Sequence, residues 1–185
     1  MHVHDLSRLA AGLLLIGALA LVSGCGGDAP TRDAPPGTTL HLDGVAYTVQ
    51  TSRELNADAA DSRPFFVGVR AGGRALPADE LWLGVFLQAE NESDGPRPLA
   101  RSIDLADSMG HTFRPVPLPA ANVYAYRPAT LPPGGSEPDA GSTAALSPEE
   151  GSLLLFRVPL ADFLSNRPLE LRVHARDIAS VQLDV

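Results

Sequence analysis

The stretch Leu81-Trp82-Leu83-Gly84-Val85-Phe86-Leu87-Gln88-Ala89-Glu90 decides the fold class of this chain. Read with a period of two, it sends Leu81, Leu83, Val85, Leu87 and Ala89 to one side and Trp82 and Phe86 to the other. A strand that is apolar on both sides must be covered on both, so the pattern predicts a central strand of a larger sheet. The flanking sequence repeats the period. Residues 151–158, Gly-Ser-Leu-Leu-Leu-Phe-Arg-Val, read as a second buried strand. Toward the C-terminus, Leu169, Leu171 and Val173 alternate with Glu170, Arg172 and His174, and Val181, Leu183 and Val185 alternate with Gln182 and Asp184. That alternation is the mark of half-solvated antiparallel strands.

Turn chemistry separates these runs. Asp43-Gly44 divides residues 39–42 from residues 45–51 with the residues a tight hairpin needs. Residues 91–95 and 107–110 punctuate in the same way, the second pair of strands lying at 100–105 and 111–114. Residues 124–131 read as an edge segment interrupted by Pro128, and residues 160–165 as one helical turn. The count of about eight short strands at regular spacing predicts an all-β, two-sheet antiparallel sandwich with 7 to 9 strands. Two irregular stretches stand out, residues 56–64 and the Pro/Gly-rich passage 115–150. Loops of that length are uncommon unless they serve a function or are disordered.

The order of these pieces carries a resemblance. Tyr47-Thr48-Val49-Gln50 and Arg53-Glu54-Leu55-Asn56 precede Gly84-Val85-Phe86-Leu87-Gln88-Ala89-Glu90-Asn91. A strand ending at Asp107 with Gly110 then leads to Phe113-Arg114-Pro115, and Leu131-Pro132-Pro133-Gly134 precedes Leu155-Phe156-Arg157-Val158-Pro159. The chain resembles the uncharacterised bacterial immunoglobulin-like lipoprotein domains, often machine-labelled telomeric-repeat-binding-factor-like and related to secreted immunoglobulin-like actinobacterial antigens. The resemblance implies an immunoglobulin-like sandwich outside the cytoplasm and no established activity. The chain lacks the cysteine pair of antibody domains, and Trp82 is expected to fill that place in the core.

Before the domain, residues 9–22 contain only Leu, Ala, Gly, Ile and Val, fourteen in a row. The run falls short of the roughly 20 residues that span a bilayer core and reads as the apolar region of a signal peptide. It ends in Val22-Ser23-Gly24-Cys25, which resembles the lipobox of bacterial lipoproteins. The resemblance implies cleavage before Cys25 and a thioether-linked diacylglycerol on its thiol, often with an N-acyl chain; two or more chains anchor a protein durably. Residues 1–24 are therefore expected to be a cleaved signal peptide, 25–37 a lipidated cysteine with a Gly/Pro tether reaching roughly 20 to 40 Å, and 38–185 the sandwich. The expected location is the extracytoplasmic face of the cell membrane, with the membrane as partner through the lipid.

Composition removes several functions. All 14 basic residues are Arg, so no lysine is present to serve a P-loop or a Schiff base, and the single cysteine rules out an internal disulfide or thiolate cluster. The net charge of −8 and the scattered arginines disfavour nucleic acid. Arg97 and Arg101 flank a strand as a candidate patch, with ion pairing to acidic neighbours the expectation. The acidic balance also disfavours lying flat on an anionic membrane. His41, His111 and His174 each stand alone in sequence and read as solvated surface, so neither a metal nor any cofactor beyond the Cys25 lipid is expected. Asp58 and Asp61 beside Asn56, and Glu92 and Asp94 beside Asn91, lack the EF-hand spacing and read as turn residues. Ser136 follows Gly134-Gly135 in a loop and forms no nucleophile elbow, and Glu149-Glu150 reads as a charged loop end.

No catalytic residue is expected; the remaining classes are an enzyme whose site assembles only in space, and a solute- or metal-binding accessory protein. Binding to an envelope or extracellular protein or ligand fits best, with Tyr124, Tyr126 and Arg127 in the Pro-rich passage as the candidate partner-binding loop. The competing role for these tyrosines is packing over an open sheet end. Cys25→Ala should abolish incorporation of labelled fatty acid into the protein in growing cells, and label that persists would remove the anchor assignment.

Overall fold

The computed structural model describes residues 34–185, and Val22, Ser23, Gly24 and Cys25 lie outside them. The described residues contain the strands β1 (Thr39–Leu42), β2 (Val45–Leu55), β3 (Glu80–Asn91), β4 (Arg97–Pro98), β5 (Ser102–Ala106) and β6 (Thr112–Phe113). There follow β7 (Thr130–Leu131), β8 (Ser136–Glu137), β9 (Ser152–Pro159), β10 (Glu170–His174) and β11 (Ile178–Gln182). Two short helices, α1 (Ala71–Arg74) and α2 (Leu160–Ser165), and a 3-10 turn at Arg63–Phe66 complete the set. The fold is an antiparallel β-sandwich. One sheet runs β1-β2-β3, with β9 and the short β8 sharing the far edge of β3, and the other runs β11-β10-β5-β6.

The two faces of β3 part as the alternation predicts. Leu83, Val85 and Leu87 enter the space between the sheets with Phe156 and Val158 of β9, Leu105 of β5, Leu171 and Val173 of β10 and Val181 of β11. Trp82 and Phe86 point the other way and join Leu55, Phe65, Phe66, Leu153 and Leu155 in a second buried cluster. Phe65 meets the Phe86 ring edge-on at 5.0 Å, and Phe66 meets Trp82 at 5.6 Å. Trp82 is thus not the inter-sheet tryptophan expected from the family resemblance. It sits on the outer face of its sheet, where its indole N–H donates to the Arg74 carbonyl at 2.9 Å. The 3-10 turn and the linker around it form a third layer that keeps that face dry.

A bulge in β2 makes the two clusters compatible. Val49 lies opposite Leu87 but Thr51 lies opposite Phe86, so Gln50 is one residue too many for the ladder. One extra residue reverses the side-chain phase. Val45 and Tyr47 before the bulge face the inter-sheet core, and Leu55 after it faces the outer cluster.

The turns behave as their residues require. Asp43 and Gly44 both take positive φ, 50° and 81°, the pairing that a two-residue hairpin turn needs, and Gly110 closes the β5–β6 turn with φ 87°. Other boundaries move. Ser136 lies in β8, paired with β3, and its hydroxyl donates to the Pro138 carbonyl at 3.0 Å. The folded unit also starts ahead of residue 38: Ala34 is fully buried, bridged in parallel to Val181, with backbone bonds to Ser180 and Gln182.

A Cβ at Gly151, where the chain enters β9, would lie 2.9 Å from the backbone of both Phe86 and Leu87. Backbone in a central strand cannot retreat, so Gly151→Ala should cost about 1–3 kcal/mol. Thermal unfolding should show this as a midpoint lowered by several degrees, and an unchanged midpoint would contradict the packing described.

Candidate functional site

β9 hydrogen-bonds to β3 along one edge, and its other edge is closed only in part. The Pro-rich passage reaches that edge at two points. Tyr124–Tyr126 form one, where Leu153 N–H donates to the Tyr124 carbonyl at 2.6 Å and Tyr126 N–H to the Leu153 carbonyl at 3.0 Å. Val116 N–H donates to the Leu155 carbonyl at 2.7 Å to form the other. Pro128, two residues beyond Tyr126, has no N–H to offer at the next ladder position, so this pairing with β9 stops there. Between the two attachments lies a groove of about 350 Å³, with Leu153–Leu155 as its floor, Val116 and Leu118 on one wall, and Tyr126 and Arg127 on the other.

Arg127 holds the two walls together. Its Nη1 donates to the Leu118 carbonyl at 3.0 Å and its Nη2 to the carbonyls of Pro119 and Asn122. Its backbone N–H donates to Glu137 Oε1 at 3.2 Å, and the Ser152 hydroxyl donates to the same oxygen at 2.6 Å. Burial raises the Glu137 carboxyl above its ordinary range, against the pull of those two donors. Tyr126 packs against the inter-sheet core, and its hydroxyl donates to the Ala100 carbonyl at 2.9 Å while Ala100 N–H donates to the Tyr47 hydroxyl at 2.8 Å. Burial, then the neighbouring Tyr47, pushes the Tyr126 phenol far up, so it stays protonated as a donor. The three residues of the candidate loop therefore divide. Tyr126 and Arg127 line the groove, whereas Tyr124 meets Phe65 edge-on at 4.9 Å and belongs to the outer cluster.

The histidines are not solitary. His41 Nδ1 lies 2.9 Å from Glu92 Oε2, and the half-buried His174 places Nε2 2.8 Å from Asp104 Oδ2. His111 gathers two carboxylates, with Nδ1 2.8 Å from Asp107 Oδ2 and 3.8 Å from Asp162 Oδ1. These three donor atoms lie within 4.8 Å of one another, a spacing a cation could use. Asp107 is buried and already engaged: Oδ1 accepts the N–H groups of Met109 and His111, and Oδ2 accepts from the His111 ring and the Asn166 amide. The geometry is that of a hydrogen-bonded knot tying the β5–β6 turn to α2. Sequence reading missed it because Asp162 lies far along the chain and meets His111 only through the packing of α2.

The acidic turn clusters have their own uses. Asn56 accepts the Asp58 N–H, Asp61 pairs with Arg53 at 3.4 Å, and Asn91 accepts the Ser93 N–H while its amide donates to Gly95, Leu131 and Pro132 carbonyls. Glu149 pairs with Arg53 at 3.1 Å. Arg97 and Arg101 depart from the expected ion pairing. Arg97 bonds Ser93 Oγ at 2.9 Å, and Arg101 has no hydrogen-bond or ion-pair partner among the described residues.

No family model matches the chain, and no curated protein does. Among solved structures it is similar to an uncharacterized β-sandwich protein from Clostridium difficile 630, at 8% identity and a TM-score of 0.46, covering 83% of this chain and 95% of that one. It is also similar to a conserved hypothetical protein from Bacillus anthracis, at 12% identity and 0.49, covering 82% and 95%. The yjhA protein from Bacillus subtilis is similar at 13% identity and 0.45, covering 82% and 99%. Among the described residues no helix is long and apolar enough to cross a membrane.

The Asp107 bond, and then its charge, raises the His111 ring above its ordinary range. Burial acts to raise the Asp107 carboxyl, but its bonds to His111 and Asn166 outweigh it and hold the group low. A raised histidine contributes stability that is complete below its unfolded value of about 6.5 and is lost as pH rises through the folded value. The stability difference between the wild type and His111→Gln should therefore be larger at about pH 5.5 than at about pH 9. Urea unfolding at both values tests this, and a difference independent of pH would mean that the pair carries no charge coupling.

Proposed function

We propose that this chain is a lipid-anchored, extracytoplasmic binding module with no catalytic role of its own, and that its site is the groove beside β9. The carrying observation is the groove itself, about 350 Å³ between two attachments to the edge of β9, with Leu153–Leu155, Val116 and Leu118 in its lining. Apolar concavities with a few fixed polar groups are the usual form of a binding site. Here the fixed groups are Arg127, held by three carbonyls, and Tyr126, held by Ala100. Because both are fixed before any partner arrives, little ordering cost remains on binding. The partner this surface suits is an envelope or extracellular molecule that inserts an apolar group over Leu153–Leu155.

The location is supported by the signal-like run and by Val22-Ser23-Gly24-Cys25. The family resemblance, to immunoglobulin-like lipoprotein domains of bacteria, supports the same compartment. A photoreactive phenylalanine analogue replacing the exposed Pro117 on the groove wall should form an adduct in intact cells. The same analogue replacing Leu146, 75% exposed and outside the groove, should not. Equal capture at both positions, or none at Pro117, would reject the groove as the site.

A further inference from the structure

A second cavity, of about 370 Å³, lies at the end of the sandwich where the β1–β2 turn, β4 and the β10–β11 turn meet. Three arginines line it: Arg97 from β4, Arg101 from the link into β5, where it also borders the β9 groove, and Arg176 from the β10–β11 turn. In a chain of net charge −8 this is a local reversal of sign. Asp43 is the one carboxylate in the lining. One of its oxygens accepts the Arg176 backbone N–H at 3.1 Å, while the other stands 3.7 Å from Arg176 Nε, whose side chain is 86% exposed. His174 also lines the wall, and the carboxylate facing it, Asp104, is matched to its Nε2. Arg97 is set in place through Nε by Ser93 Oγ, and Arg101 is uncommitted among the described residues.

We propose that the cavity framed by Arg97, Arg101 and Arg176 binds a phosphate-type oxyanion. Planar guanidinium groups match the paired oxygens of such a group, and each charge-assisted bond is stronger than a neutral one. Arg176 is the one of the three with a carboxylate partner among the described residues, Asp43 at 3.7 Å, so Arg97 and Arg101 can meet an entering anion without breaking an ion pair.

The anion has two chemical sources, a lipid headgroup and a free phosphate. Eight residues lie between Cys25 and Ala34, a reach of roughly 30 Å fully extended. Under the lipid-anchor reading, on which only this choice of source rests, that short reach keeps the domain close to the headgroups, and a phosphodiester is the nearer ligand.

The test is calorimetric titration of the full chain, isolated in a neutral detergent, with inorganic phosphate and with glycerophosphoglycerol, the diester that a lipid headgroup presents. Saturable binding of either is expected, weakened about tenfold by Arg101→Ala and by Arg176→Ala. It should be unchanged by Arg114→Ala, which removes one positive charge outside the cavity. Arg101 and Arg176 are exposed, so thermal midpoints should stay at the wild-type value. Tighter binding of the diester assigns the site to a headgroup, and tighter binding of inorganic phosphate to a free anion; either supports the proposal. Absence of saturable binding up to about 10 mM, or equal weakening by Arg114→Ala, would overturn it.

Discussion

β3 is hydrogen-bonded along both edges and buried on both faces, and the architecture follows from satisfying it. Leu83, Val85 and Phe86 have no solvent exposure at all. Each such side chain gains about 1.5–3 kcal/mol from leaving water, so exposing either face of the strand would remove a large part of the domain's margin. A two-sheet sandwich covers only one face of a strand. The other face needs a third layer, which the linker between β2 and β3 supplies by folding Phe65 and Phe66 back over Trp82 and Phe86. Phe65 in turn receives Tyr124, so the Pro-rich passage is pinned by the same outer cluster that the linker caps.

The bulge at Gln50 is the device that lets β2 serve both layers. Without it, Leu55 would keep the phase of Tyr47 and enter the inter-sheet core, and the outer cluster would lose its contact on that side. Gly84 shows how tightly the switch is built: a Cβ there would come within 2.6 Å of the Leu55 side chain. The polar groups near these layers are satisfied locally. Asn122, buried beneath the linker, donates to the carbonyls of Phe65 and Val67, where the tight turn leaves them without strand partners.

These particulars divide what the sequence disclosed from what it did not. The two-faced β3, the buried β9, the hairpin at Asp43-Gly44 and the single turn of α2 were legible because each is a local matter of period or turn chemistry. The bulge was not, since Gln50 looks like any outward residue until its partner strand is known. Trp82 was misplaced for a related reason: alternation assigns residues to opposite faces without saying which face meets the second sheet. The candidate groove was half legible. The prolines announced an interrupted edge and Tyr126 and Arg127 marked it, but only the tertiary arrangement separates Tyr124 into the core. The Asp107, His111 and Asp162 knot and the cavity of Arg97, Arg101 and Arg176 join residues more than fifty positions apart, which no local spacing can reveal.

An open strand edge is a hazard, because unpaired backbone invites another chain to add a strand. Along β9 the hazard is limited by chemistry that also shapes the groove. Pro115 and Pro117 flank Val116, which spends its N–H on Leu155, and Tyr126 spends its N–H on Leu153. A foreign strand thus meets prolines and occupied ladder positions, while the groove beside Leu153–Leu155 stays open between the two attachments. Arg127 completes the arrangement, since its bonds to Leu118, Pro119 and Asn122 tie the walls at a fixed width in place of a strand. Protection of the edge and formation of the groove are consequences of one constraint: proline can approach the edge of a strand without pairing along it.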